Sequence, residues 1–381
     1  MRLSIVFLFL FAITTEYWLD VGIASMKSSI LVAVIYVLFH LKETIFILKT
    51  ESNTFIIYIY IMIAILINDL YIEADTTHIF KSVFFHIASV ISFIFFSSLF
   101  SKDELNFPKY LIIWGCALFL HHQGMFFFDV SRLLDGPYFS YRFAGLTTYF
   151  SIGWSFFLMH KSKNFLALLV LLFSCLILYI SGTRSFCYMM LMTLIMSTIT
   201  IYTKINFRSF LVFILLFLTF SIFGLFYFAP EVINTIIVAR IDTFSSLMHF
   251  FSTFPMGIGS GGVVNLFPYK ETLSNFFGFP LEFAIRLDYT TAHSFIVGAL
   301  FKHGVLTLLP ISYFLINIFN LNIKMISFKG MSNEQRLISI FIISYTSYSI
   351  LFSGYQNFLI QFPMFYAVTL SMFRRNKVVK L

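Results

Sequence analysis

The chain repeatedly runs for about twenty residues with little or no charge, and nothing else in the sequence limits its fold as strongly. Phe210–Ala229 is one such run, without a single acidic or basic side chain. An α-helix rises 1.5 Å per residue, so about twenty residues match the ~30 Å hydrocarbon core of a bilayer. A water-soluble domain carries about a quarter charged residues. Here charged residues are 11% and hydrophobic residues 59% of 381, too little polar surface to cover a fold of this size. Backbone groups in hydrocarbon must be satisfied within the chain, which leaves helices. The expected fold is all-α: a polytopic membrane protein of about twelve transmembrane helices.

Spans are expected near 3–22, 28–48, 54–71, 80–100, 109–128, 143–160, 164–181, 186–203, 208–229, 304–322, 336–352 and 355–373. Lys42 and Glu43 interrupt the second. The first reads as uncleaved, since Thr14 to Trp18 offers no small-residue cleavage site. This divides the chain into N-terminal helices (1–229), one large loop (230–303) and C-terminal helices with a basic tail (304–381). A short helix at 293–302 is expected to enter the membrane without crossing it.

Short cytoplasmic loops are enriched in Lys and Arg. With the N-terminus inside, alternate loops hold Lys42 and Lys49, Lys102 and Lys109, Lys161 and Lys163, Lys204 and Arg208, then Lys324, Lys329 and Arg336, and the tail holds Arg374 and Arg375. The opposite loops hold Glu16, Asp20, Asp69, Glu73 and Asp75. Both termini are therefore expected inside and the 230–303 loop outside. The net charge of +8 follows this loop pattern, so no nucleic-acid partner is expected.

Four arginines break the pattern by falling outside: Arg142, Arg184, Arg240 and Arg286. Arg184 stands in a tight Ser181-Gly182-Thr183-Arg184-Ser185 turn between two apolar runs. It is open to two readings, a topology exception that snorkels to the headgroups or a group facing a polar cavity. Together with a histidine, the four point to an anion site at the outer membrane surface. A guanidinium grips phosphate at two points and stays charged in a dry site. A lipid diphosphate is the anion expected at that depth, and it is also a good leaving group.

A transferase using it needs a base for the attacking hydroxyl, and His293 is the candidate. It precedes the apolar run Phe295–Phe301, and Thr290 or Thr291 is expected to cap that helix. In a first turn the helix dipole favours the neutral imidazole that a general base requires. His303 and Lys302 are secondary candidates, and His160 and His249 read as ordinary structural histidines. Gly257, Gly259, Gly261 and Gly262 would let the loop pass close to a sugar or phosphate. Ile241, Phe244, Leu247, Met248 and Phe251 recur at helical spacing, which predicts an amphipathic helix at the interface. No metal-ligand cluster, nucleotide-binding glycine motif or DxD motif is present, so no metal and no cofactor are expected. Cys116, Cys175 and Cys187 read as buried thiols.

The ordered set Arg142-Phe143-Ala144-Gly145, Ser181 to Ser185, Arg240, Pro255-Met256-Gly257-Ile258-Gly259, His293-Ser294-Phe295 and His303-Gly304-Val305-Leu306 resembles the O-antigen polymerase and O-antigen ligase superfamily of Wzy-type and WaaL-type membrane glycosyltransferases. The resemblance implies a GT-C-like, metal-independent bundle with one large periplasmic loop in the bacterial inner membrane. It would act on undecaprenyl-diphosphate-linked oligosaccharides, as donor and acceptor, among the membrane lipids. It also implies that Arg184 and Arg240 hold the diphosphate, that His293 is the base, and that Arg142 matches an arginine preceding a glycine. Ser294 stands where the family commonly has Asn. Polymerase is the expected activity, with chain length left to a separate regulator protein. A ligase transferring glycan to lipid A-core and a flippase of lipid-linked sugars are the alternatives.

Overall fold

The computed structural model describes residues 18–20, 25–101, 165, 168–169, 172, 192–200, 237–238, 240–260, 265–281, 294–328, 330–352 and 355–378. The described chain is helical apart from one small ribbon, in which β1 (Trp18–Asp20) pairs antiparallel with β2 (Ser25–Lys27). The expected first span, 3–22, is corrected at its C-terminal end, where residues 18–20 form this strand. The helices are α1 (Ser28–Phe39), α2 (Leu41–Thr50), α3 (Ser52–Tyr71), α4 (Thr76–Phe100), α5 (Ile241–Ser252), α6 (Phe267–Phe277), α7 (Phe295–His303), α8 (Leu308–Ser327), α9 (Asn333–Phe352) and α10 (Tyr355–Val378).

Three helical segments among the described residues are long and apolar enough to cross a membrane: Ser52–Tyr71, Thr76–Phe100 and Val305–Ser327, the last being α8 with the 3₁₀ turn before it. They coincide with expected spans at 54–71, 80–100 and 304–322. Unbroken helices also form over 336–352 and 355–373, richer in Ser, Thr, Asn and Gln. Most of the expected spans between 109 and 229 lie outside the described residues.

The expected second span, 28–48, is not one straight helix. It breaks at His40, and the two arms meet at 98°. A straight continuation would carry Lys42 and Glu43 into the apolar layer, at a cost of a few kcal/mol for each charge. The bend brings Glu43 against Ser98 of α4, whose hydroxyl donates to the carboxylate and also meets Tyr36 of α1. The His40 ring stacks on Tyr36 with centroids 4.1 Å apart.

Helix α4 is the axis of the bundle, packed by α10, α1, α3 and α2. Phe93, Phe95, Phe96 and Phe100 interlock with Phe362, Phe365, Tyr366, Val368 and Met372 of α10. Burying a side chain of this size contributes roughly 1.5–3 kcal/mol. The opposite surface is apolar as well: Ile56, Ile59, Ile63, Ile67 and Leu70 form an exposed stripe along α3. In water that stripe would be an aggregation site, and against lipid it is the ordinary outer face of a span.

Side-chain contacts sort the loops to two ends. At one end Arg374 pairs with Glu51, and the Ser371 hydroxyl donates to the Phe100 carbonyl at 2.7 Å. Ser332 and Gln335 cap α9 reciprocally there, each side chain accepting from the other's backbone N–H at 3.2 Å. At the other end Asp75 caps α4 by accepting from the Thr77 N–H at 2.8 Å, and Asp69 meets the 255–260 segment. The basic residues Lys49, Arg374 and Arg375 thus share one end and the acidic α3–α4 turn the other. A cysteine placed at Glu73 should react with an impermeant maleimide in intact cells, whereas one at Lys49 should react only after permeabilisation. Equal labelling of both would overturn this orientation.

Candidate functional site

The end of the bundle holding the α3–α4 turn is closed by the described parts of the 230–303 loop. Helix α5 packs on both α6 and α7, and α7 also packs on α3, α9 and α10. At its start, the Ser294 hydroxyl donates to the Ile350 carbonyl near the end of α9, at 2.8 Å. At the other end of α7, Gly304 lies against the Asn68 side chain in the last turn of α3. Both ends of α7 therefore sit at one end of the bundle.

The cap of α7 is Ser294, in extended conformation, and not Thr290 or Thr291. The helix begins at Phe295, two residues later than a first-turn position for His293 requires, so the dipole argument for that histidine is corrected. Ser294 supplies the cap because its hydroxyl serves two partners at once, accepting from the Val297 N–H at 3.5 Å and donating to Ile350. His293 itself, Arg142, Arg184 and Arg286 lie outside the described residues.

The glycine-bearing segment takes a different role from the one expected. Ile258 N–H donates to the Phe301 carbonyl at 2.9 Å and Gly259 N–H to the Lys302 carbonyl at 2.8 Å. Val305 N–H returns a bond to the Pro255 carbonyl at 3.0 Å. The last carbonyls of a helix have no partner within it, and this segment supplies one for α7. A Cβ on Gly257 would come within 2.5 Å of the Phe301 carbonyl oxygen, so only glycine allows the approach. Gly304 turns the chain at φ 71°, and a Cβ there would lie 2.7 Å from the Pro255 carbonyl. Gly257 and Gly259 bring the segment against the backbone at the end of α7.

Asp69 ties this arrangement to the bundle. Its Oδ1 accepts from the Ser260 N–H at 2.8 Å, and the residue is fully buried. Sequence reading took Asp69 for a topology signal. Beside it Asn68 is 1% exposed, and neither polar atom of its side chain has a hydrogen-bond partner. The adjacent pair Asn68-Asp69 within an apolar run was the available signal, since polar groups at membrane depth usually mark function or packing.

His303 is buried at the end of α7 with its ring 6.2 Å from that of His86 in α4, edge to face. Burial first, then His86 and Lys302, hold its imidazole well below the ordinary value, so it stays neutral. Burial also lowers the Lys302 ammonium. His86 had no place in the sequence reading, because a lone histidine in a long apolar run has no spacing partner there. Arg240 stands just before α5, partly exposed, and its side chain does not cap the helix.

Helix α5 forms at the predicted helical spacing. Its buried positions are Ile241, Asp242, Ser245, Ser246, His249 and Phe250, while Phe244 and Phe251 are exposed. The buried face is mixed, with Ile241 joining Leu273 and Phe279 in a small apolar cluster on which Met248 packs.

The sequence matches no protein-family model, and no curated protein is significantly similar to it.

Two substitutions test the loop's anchoring. Gly257→Ala should destabilise the protein by about 1–3 kcal/mol, since backbone must move to admit the methyl group. Asp69→Ala should cost about 1–3 kcal/mol by stranding the Ser260 N–H, whereas Asp69→Asn keeps an acceptor and should cost less. Melting temperatures in detergent check both, and equal values for Asp69→Ala and Asp69→Asn would show that this bond does not anchor the segment.

Proposed function

We propose that this protein is a surface-polysaccharide polymerase of the O-antigen type, joining lipid-diphosphate-linked oligosaccharide units at the outer face of the bacterial inner membrane. The observation that carries the reading is α5, which buries Asp242, Ser245, Ser246 and His249 while exposing Phe244 and Phe251, on the loop that also holds Arg240 and leads into His293. Exposed phenylalanines suit a loop at membrane depth, where a lipid-anchored substrate presents its diphosphate. The ordered motif set and the outer arginines supply the rest of the support.

In this reading Arg184 and Arg240 hold the diphosphate, with Arg142 and Arg286 beside it. His293 takes the proton from the acceptor hydroxyl as the new glycosidic bond forms, and the lipid diphosphate leaves with the bonding pair. The diphosphate is a stable anion, so the leaving side needs no strong acid, metal or cofactor. Ser294 serves as the anchor of His293 to α9 rather than as a substrate ligand, because its hydroxyl is already bonded twice.

Deleting the gene should leave lipopolysaccharide with core plus a single repeat unit, seen by electrophoresis. Loss of all O-units from core would favour a ligase, and an unchanged ladder would sink both. Arg184→Ala and His293→Ala should each abolish chain growth while the protein still inserts, with a loss of about 10²–10⁴-fold expected for a missing base. Arg184→Lys should recover little, since an ammonium cannot grip phosphate at two points. Purified protein should lengthen a lipid-linked glycan without any membrane gradient, which a flippase cannot do.

A further inference from the structure

Helix α1 packs on α4, the axis of the bundle, and α2 leaves α1 at 98°. Helix α3, long and apolar enough to cross the membrane, starts at Ser52, directly after the Glu51 that ends α2. A ten-residue helix turned across the bundle at that point runs along the membrane surface rather than through it. Its side chains sort into lines along the helix. Thr44 and Ile47 are buried against the bundle. Leu41, Ile45 and Leu48, at i, i+4 and i+7, share one exposed face. Lys42 and Lys49, also a heptad apart, form the next exposed line round the helix, with exposed Phe46 beyond them.

The acidic side chains here are turned inward. Glu43 accepts from the Ser98 hydroxyl, and Glu51 pairs with Arg374. The exposed surface of α2 therefore combines positive charge with large apolar side chains. A second copy of this chain does not complement it, because a twofold contact would set the lysine line against another lysine line. A lipid surface does, offering acyl chains to Leu41, Ile45 and Leu48 and phosphate to the lysines. Lipid is also at hand, since the exposed stripe of α3 begins in that helix's second turn, at Ile56.

We propose that α2 is an interfacial helix that binds anionic phospholipid, with Leu41, Ile45 and Leu48 among the acyl chains and Lys42 and Lys49 on the headgroup phosphates. Basic side chains beside an apolar face hold a helix at an anionic membrane surface. The site is independent of the polysaccharide reading, and it lies at the end of the bundle opposite the α3–α4 turn, where Glu51 meets Arg374.

The test uses the full-length protein in detergent, with phosphatidylglycerol and phosphatidylcholine as probes and native mass spectrometry as the readout. The wild-type protein should bind phosphatidylglycerol more tightly than phosphatidylcholine. Lys42→Ala/Lys49→Ala should weaken phosphatidylglycerol binding about twentyfold, roughly fivefold for each lysine. Both lysines are exposed, so phosphatidylcholine binding and the melting temperature without lipid should not change. Lys42→Arg/Lys49→Arg should keep the preference. Glycerol phosphate, a headgroup without acyl chains, should leave the melting temperature where it is. Equal binding of the two lipids by the wild-type protein overturns the proposal, and so does an undiminished preference in the double alanine variant. Stabilisation by glycerol phosphate as large as that by phosphatidylglycerol would assign a soluble phosphate ligand and overturn the lipid. An Ile45→Cys variant that cross-links to itself in membranes, where the parent protein does not, would assign the face to a second copy and overturn it too.

Discussion

A backbone N–H or C=O at membrane depth finds no water, and several helix ends among the described residues are arranged around that fact. Asp75 covers the start of α4, Ser332 and Gln335 the start of α9, and Ser294 the start of α7. The end of α7 is the hardest case, since it stops inside the assembly rather than at a surface. It is completed by backbone from 43 residues earlier, with Ile258 and Gly259 donating to Phe301 and Lys302. That solution forces the close approach that only Gly257 permits, and it fixes where Asp69 must stand to hold Ser260.

The same constraint explains the treatment of charge. Glu43 bends its helix and reaches Ser98, and Glu51 meets Arg374 across the other end of the bundle. Asp69 is spent on one backbone N–H. Where polar atoms are left without partners, at Asn68 and along α5, the protein tolerates a cost that its own architecture avoids elsewhere. Asn68 lies at the end of the bundle that holds the α3–α4 turn, and α5 lies within the loop that the functional reading makes one wall of a substrate site.

Much of this was legible in the residues. Membrane-length runs located α3, α4 and α8, because a bilayer imposes one length and one composition on any helix that crosses it. The charge pattern sorted the loops, and the structure groups Glu51, Arg374 and Phe100 at one end and Asp69, Ser260 and Gly304 at the other. Helical spacing at 241–251 was visible too. Its buried set was not, since Ile241 and Phe250 are buried beside Ser245, Ser246 and His249 while Phe244 and Phe251 are exposed, and a period of 3.6 residues does not state what each face meets. The break at His40 was signalled only by the charges after it. The Gly257–Gly259 contact with α7 had no local signal at all.

Composition and run length by themselves determined a helical membrane protein with a distinct 230–303 loop, because each span's apolarity is a property of about twenty consecutive residues. Tertiary structure alone decided the roles of Ser294, Gly257, Asp69 and His249. Each is defined by a partner far along the chain or across a helix pair: Ile350, Phe301, Ser260 and Tyr269. Hydrogen bonds act over about 3 Å, and only folding brings those atoms within that reach.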